Sequence, residues 1–190
     1  MATKPTKAKA KAVKPTAKPA KPPKKKRQKF DIDAYTQFNL HSLSFTMWPT
    51  LWKQYKDPAV LTWDKVPFDA SQKKLLPDNP GVYAFIVTAE MSAGLQPSYL
   101  LYVGQTSDQT LKERFENYLY EIGSGIGRPK LVAYLPLYDG YTYFHFAEIP
   151  SGSALKPKDV ERNLFNGFVP PLNSQFEGEV TGFRSAFTAS

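Results

Sequence analysis

Side chains that could act on a phosphodiester follow one another through the second half of this chain. Tyr83 and Tyr102 lie in apolar runs rich in β-branched residues. Further along come Arg114, Glu161 and Asn173. A phenolic hydroxyl can carry a proton, a guanidinium can hold two phosphate oxygens, and a carboxylate can bind a divalent cation. No residue of the set is diagnostic alone, but together they supply the groups that phosphodiester hydrolysis requires.

The two tyrosines belong to a pair of short motifs, GVY at 81–83 and YVG at 102–104. Arg114 follows the second motif by ten residues, and Glu161 precedes Asn173 by twelve. This order of motifs and residues resembles the GIY-YIG nuclease superfamily, over about half of the chain. The resemblance implies a metal-dependent endonuclease that hydrolyses DNA with one Mg²⁺ or Mn²⁺ ion as its cofactor.

The resemblance also implies a role for each residue of the set. Tyr83 orients or deprotonates the attacking water with Tyr102 close by, although a phenol is a poor base until a neighbouring group lowers its pKa. Arg114 neutralises charge on the phosphoryl oxygens. Glu161 holds the metal ion, and Asn173 helps to order the site.

Two further residues stand where members of that superfamily carry other side chains. Tyr118 occupies the place of a histidine in many homing members, so it either carries a proton or only packs. It shares one helix face with Arg114, four residues earlier. We expect a phosphate as the partner of Arg114, since Glu113 and Glu116 point away from that face. Gln105 replaces a lysine of excision-repair members and is a candidate nucleic-acid contact.

The elements that must position these residues have recognisable patterns. Apolar and β-branched runs predict strands, and apolar residues at three- and four-residue spacing predict helices. Their order resembles the GIY-YIG fold, which implies an α/β (α+β) domain with a three-stranded antiparallel sheet flanked by helices. The predicted strands are 82–88, 99–103 and 141–149, and the predicted helices are 69–76, 108 or 110 to 122, 129–138 and a last one that begins at 157 and ends before Pro170.

Composition divides the chain into four predicted segments. These are a basic tail at 1–29, an aromatic-rich extension packed on the core at 30–79, the nuclease-like domain at 80–175 and a C-terminal extension at 176–190. The aromatic-rich extension contains Trp48, Trp52 and Trp63. Core packing is the favoured interpretation of these tryptophans, over nucleobase stacking, because large aromatic side chains are usually buried.

Basic residues are concentrated in residues 1–29, which contain eleven Lys and one Arg and no acidic residue. The rest of the chain holds thirteen basic and seventeen acidic residues, a net charge of −4. The tail is rich in Lys, Ala and Pro, so we predict that it is disordered. It serves either as a nonspecific DNA-binding arm, the favoured interpretation, or as a solubilising extension. Its candidate nucleic-acid contacts are Lys24, Lys25, Lys26 and Arg27, which also fit a nuclear import signal if the host has a nucleus.

Several classes of protein are excluded by composition. The chain has no cysteine, so disulfides and thiolate zinc sites are ruled out, and two histidines cannot build a histidine-rich metal centre. No run of eighteen apolar residues is present, and the first thirty residues lack the apolar stretch of a secretory signal. We therefore expect no membrane partner and a cytoplasmic location, at the nucleoid or, in a eukaryotic host, the nucleus.

Two alternatives to a duplex-cutting nuclease stay open. The scaffold could belong to a noncatalytic nucleic-acid-binding protein, which is disfavoured because every expected active-site residue is present. Alternatively, the nuclease could be specific for single-stranded or branched DNA, with the aromatic residues of 30–79 as stacking platforms.

Overall fold

The computed structural model describes residues 43–56 and 60–174. The predicted basic tail and C-terminal extension lie outside the described residues, and with them Lys24, Lys25, Lys26 and Arg27. Over the described ranges, the chain forms a mixed α/β domain built on one antiparallel sheet.

Four strands make up this sheet, one more than the three predicted. They are β1 (Asp64–Pro67), β2 (Gly81–Thr88), β3 (Ser98–Thr106) and β4 (Thr142–Glu148), arranged in the order β1-β4-β2-β3. The additional strand, β1, pairs with β4 at one edge of the sheet. It has only four residues, and only Val66 is buried. The alternation of apolar and polar residues is therefore too short to indicate a strand from the sequence. Its terminal proline is compatible with an edge position.

Helices flank the sheet. They are α1 (Pro49–Gln54), which was not predicted, and α2 (Leu111–Ser124), α3 (Pro129–Tyr134) and α4 (Pro157–Phe168), which lie at predicted places. Of the two predicted starts for α2, Thr110 is the cap: its hydroxyl accepts from the Glu113 amide, and the Glu113 carboxylate accepts from the Thr110 amide. The predicted helices at 69–76 and at the end of 129–138 take the 3-10 form, over Ala70–Leu75 and Leu135–Tyr138. None of the helices in the described ranges is long and apolar enough to cross a membrane.

Apolar layers cover both faces of the sheet. On one face, the rings of Tyr83 and of Phe115 on α2 each lie 5.1–5.2 Å from the ring of Phe144, between centroids. On the opposite face, Val82 packs against Val160 of α4. Successive residues of a strand point to opposite faces, so β2 is buried on both sides. This position explains why the predicted strand at 82–88 is an almost continuous apolar run.

The pairing of β2 with β3 places both motif tyrosines on one face. Tyr83 pairs with Gly104 and Phe85 with Tyr102, while the next pair is shifted by one residue. A β-bulge therefore lies beside Tyr102, and bulges often redirect side chains near functional sites. The rings of Tyr83 and Tyr102 are diagonal neighbours, with centroids 6.4 Å apart.

Close contacts require the glycines of both motifs. A Cβ atom on Gly104 would lie 2.4 Å from the hydroxyl oxygen of Tyr83, whose side chain crosses β3 at this point. A Cβ atom on Gly81 would lie 2.2 Å from the carbonyl oxygen of Ala147 in β4. Gly104 thus leaves the space in which the Tyr83 phenol is held.

We expect Gly104→Ala to lower the free energy of unfolding by about 1–3 kcal/mol, because the added methyl group overpacks a rigid aromatic site. The matched control is Gly123→Ala in α2, where an added Cβ meets nothing within 4 Å. Alanine has the higher helix propensity, so this control should stabilise the domain slightly. Urea unfolding of both variants measures the difference, and equal stabilities would contradict the proposed contact.

The aromatic-rich extension is less buried than expected. Trp48 packs beside Leu51 in a small cluster at the end of α4. Trp52 and Trp63, however, keep 37% and 38% of their surface exposed. The expectation of core tryptophans is therefore wrong for these two, because both line the wall of a groove beside α4.

Candidate active site

A cleft of about 960 Å³ opens beside β3, between the beginning of α3 and the exposed side of α4. Three of the predicted site residues line it: Tyr102 from β3, Glu161 from α4 and Asn173 from the segment after α4. The cleft thus brings together residues that are up to 71 positions apart in the chain.

The remaining predicted residues form a buried layer next to this cleft. Tyr83, Tyr118 and Arg114 are exposed by only 1%, 0% and 8%. The hydroxyl oxygens of Tyr83 and Tyr118 are 2.8 Å apart. Tyr83 was expected to contact the attacking water, but its burial places it in the supporting layer instead.

Arg114 has a protein partner at each of its three nitrogens. Nε donates to the Tyr83 hydroxyl at 3.1 Å, and one Nη donates to the Tyr118 hydroxyl at 2.9 Å. The other Nη lies 4.0 Å from the carboxylate of Glu121. The expectation that no acidic residue accompanies Arg114 is therefore wrong. Glu121 is seven residues further along α2, two turns away, and so returns to the same face.

A second arginine, Arg128, completes this network. It precedes α3, and its Nη1 donates to the Tyr118 hydroxyl. Its guanidinium carbon lies 5.9 Å from the centroid of the Tyr102 ring. Sequence patterns alone did not identify Arg128, because only the fold brings it to the motif tyrosines. The one available signal was an arginine between Gly127 and Pro129, in a short turn after a predicted helix.

The two arginines determine the direction of proton donation in the buried layer. A guanidinium only donates, so Arg114 and Arg128 occupy both lone pairs of the Tyr118 oxygen. Tyr118 then donates its proton to a neighbouring phenol oxygen. The Tyr83 oxygen, 2.8 Å away, is such an acceptor. Tyr118 is therefore the junction between the motif tyrosine and the two cations.

Burial favours the protonated form of the Tyr102 and Tyr118 phenols. Burial and the nearby Tyr83 raise the pKa of Tyr102 to about 12, although Arg128 and a hydrogen bond with Tyr118 act in the opposite direction. Burial also raises the pKa of Tyr118 well above its ordinary value. At neutral pH only about 1 in 10⁵ of Tyr102 phenols is ionised. Tyr102 therefore presents a neutral hydroxyl to the cleft at neutral pH.

Glu161 is the acidic residue of the cleft. Burial raises the pKa of its carboxyl group, while the charges of Arg128 and Lys158 and the backbone amide of Gln105 lower it. The side-chain carbonyl of Gln105 itself accepts from the hydroxyl of Ser107 at 2.7 Å. Gln105 therefore reaches the site through its backbone, which its side-chain identity does not reveal.

The Glu161 carboxylate could serve as a ligand for one hydrated divalent cation. No group of three His, Cys, Asp or Glu side chains that could hold a metal occurs within the described ranges. Mg²⁺ commonly takes one or two carboxylates and completes its shell with water and phosphate oxygens. A half-buried carboxylate in an open cleft meets that requirement.

Asn173 fastens the segment after α4 to the free edge of β3. Its Oδ1 accepts from the Val103 amide at 2.9 Å, and its Nδ2 donates to the Val103 carbonyl at 2.8 Å. The Leu172 amide donates to the Leu101 carbonyl at 3.0 Å. These bonds clamp β3 on both sides of Tyr102. They give Asn173 the geometry of a residue that orders the site.

The turn that delivers Asn173 contains a strained residue. Val169 follows α4 with φ of 49°, in the left-handed region that a β-branched residue rarely adopts. Its side chain is buried against Leu51 of α1. This packing stabilises the strained turn, so α1 supports the position of Asn173 at the cleft.

Positive charge is concentrated around the cleft although the chain after residue 29 is acidic overall. Four basic residues line it against the single carboxylate of Glu161; they are Arg128, Lys130, Lys158 and Arg162. A basic cleft with one carboxylate attracts a polyanion and can still hold a metal ion.

No protein-family model, no curated protein and no solved structure matches this chain.

Proposed function

We propose that this protein is a metal-dependent endonuclease of the GIY-YIG type that hydrolyses phosphodiester bonds in DNA. The observation that carries the proposal is the convergence of Tyr102 and Glu161 on one basic cleft, backed by the buried layer of Tyr83, Arg114 and Tyr118. These residues come from four separate elements, β2, β3, α2 and α4. If each residue only packed in its own element, there would be no reason for all of them to converge on one cleft.

In the proposed reaction, water forms a bond to phosphorus, the bond to the leaving 3′ oxygen breaks, and that oxygen receives the proton lost by water. Glu161 would hold a Mg²⁺ or Mn²⁺ ion together with water and phosphate oxygens. When bound, such an ion stabilises negative charge on the leaving oxygen. Tyr102 orients the water or a phosphate oxygen by hydrogen bonding, since its pKa of about 12 keeps its proton in place. Three basic residues of the cleft bind the phosphates of the strand; they are Arg128, Lys130 and Lys158.

DNA is the proposed partner because several cationic side chains line the cleft. Duplex DNA carries one negative charge per about 1.7 Å of axis, so even a short stretch presents several phosphates to these three basic side chains. The basic tail at 1–29 remains the proposed nonspecific arm.

The test is a cleavage assay with four DNA substrates: supercoiled plasmid, linear duplex, a single strand and a branched junction. We expect cleavage with Mg²⁺ or Mn²⁺ and none with EDTA. Cleavage of only the single strand or the junction would support the more specific nuclease, for which the exposed rings of Trp52 and Trp63 are available. Tight binding to every substrate without any cut would contradict the enzyme and favour the noncatalytic alternative.

A further inference from the structure

The guanidinium of Arg114 is fully occupied by contacts with other protein side chains. Its three nitrogens face Tyr83, Tyr118 and Glu121, and its guanidinium carbon lies 4.2 Å from the centre of the Tyr118 ring. Only 8% of the residue is exposed. A phosphate that approached Arg114 would have to displace a tyrosine hydroxyl or compete with the carboxylate.

Arg128 has the opposite environment. It lines the cleft and is an exposed residue, although the rings of Tyr102 and Tyr118 flank its guanidinium. Its Nη1 donates to the Tyr118 hydroxyl, and it forms no ion pair with any carboxylate in the described part of the chain. A guanidinium against aromatic surface without a paired carboxylate is well suited to bind an anion, and its fork matches two phosphate oxygens.

The position of Arg128 also links the cleft to the buried layer. Its charge acts on the carboxyl group of Glu161 across the cleft, while its Nη1 holds the Tyr118 hydroxyl. Among the four basic residues of the cleft, Arg162 has a different arrangement, since its Nη2 pairs with Asp159 at 3.1 Å on the exposed side of α4. Arg162 therefore provides a matched arginine that shares the cleft but not the network.

We propose that Arg128 is the catalytic arginine, whose guanidinium binds the phosphate to be cleaved, and that Arg114 is a positioning residue that holds Tyr83 and Tyr118 behind it. This inference rests on the proposed endonuclease function. It assigns phosphate binding to Arg128, which the sequence motifs did not identify. It also gives a reason why all three nitrogens of Arg114 have protein partners.

The experiment compares Arg128→Met, Arg128→Lys and Arg162→Met with the unmodified chain in single-turnover cleavage of the best DNA substrate. We expect Arg128→Met to cleave about 100- to 1000-fold more slowly, as for loss of a preorganised transition-state contact. Arg128→Lys should recover only a small part of the rate, because a lysine lacks the planar fork. Arg162→Met should remain close to the unmodified rate, since exposed ion pairs contribute little.

Thermal unfolding and DNA anisotropy titrations in EDTA accompany each variant. Unchanged unfolding shows that a slow variant is folded. Running the cleavage assay above the Kd that the titrations give for each variant ensures that the rate difference is not a difference in binding. Arg128→Met cleaving as fast as Arg162→Met would overturn the assignment of Arg128 while the endonuclease stands. An unmodified chain that cuts no substrate would overturn both proposals together.

Discussion

Glu161→Gln is expected to cleave DNA about 100- to 1000-fold more slowly than the unmodified protein, with the same affinity for DNA or a slightly higher one. The amide keeps the shape of the side chain but cannot supply the charge that holds a divalent ion. Removing the negative charge makes the cleft more positive, so binding should not weaken. Single-turnover cleavage in Mg²⁺ and anisotropy titrations in EDTA measure the two effects separately.

Glu161→Gln should not lower the free energy of unfolding at neutral pH. Burial raises the pKa of Glu161 in the folded state, so its ionised form is less favourable folded than unfolded, and that cost grows as pH rises through the raised pKa. Glutamine removes the cost, and Glu161→Gln should therefore unfold at the same temperature or a higher one at neutral pH. The matched control is Glu116→Gln, an exposed carboxylate that lies 3.6 Å from Lys73. Full activity in Glu161→Gln, or equal losses in both variants, would contradict the role of Glu161.

Arg114→Met should have the largest effect on stability, a loss of about 3–5 kcal/mol, because it removes the cation from a buried network. Two hydrogen bonds to tyrosine hydroxyls disappear, and Glu121, with 16% of its side chain exposed, loses its ion-pair partner. We expect cleavage to fall by at least about 100-fold in the fraction that remains folded. Urea unfolding gives the stability, and cleavage below the unfolding transition gives the rate.

Controls separate a positioning role from a merely structural one. Lys112→Met on the same helix breaks an exposed ion pair with Asp78 at 3.2 Å and should cost less than about 1 kcal/mol. Arg114→Lys keeps the charge beside Glu121 and should restore part of the stability and part of the rate together. The affinity for DNA should stay unchanged in Arg114→Met, because the side chain is buried away from the cleft. A selective loss of affinity would instead mean that Arg114 itself contacts the strand.

Much of the fold was accessible from local patterns. The strands around both motifs, the capping of α2 by Thr110 and the start of α4 at Pro157 depend on neighbours within a few residues, and the structure has them as predicted. β1 was missed because its one buried residue, Val66, gives no periodicity. Its place in the sheet depends on pairing with β4, almost eighty residues later, which no local pattern contains.

The site was predicted as a list of residues but not as an arrangement. Tyr102, Glu161 and Asn173 meet at the cleft, whereas Tyr83, Tyr118 and Arg114 lie beneath it. Helical spacing indicated that Arg114 and Tyr118 share a face, because that relation is set within one turn. It could not identify Arg128 as a partner of Tyr118, since that contact depends on how the chain turns between α2 and α3.

By itself, the sequence determined which chemical groups are present, the glycine at 104 that lets Tyr83 cross β3, and the separation of a basic tail from a mildly acidic remainder. Only the tertiary structure decided which groups face the cleft, which are sequestered by protein partners, and where the basic side chains of the acidic remainder gather. The physical reason is that burial, hydrogen bonding and local charge depend on contacts between distant segments. Residue types and short spacings show which reactive groups a chain contains. Tertiary packing decides which of those groups are accessible to a substrate.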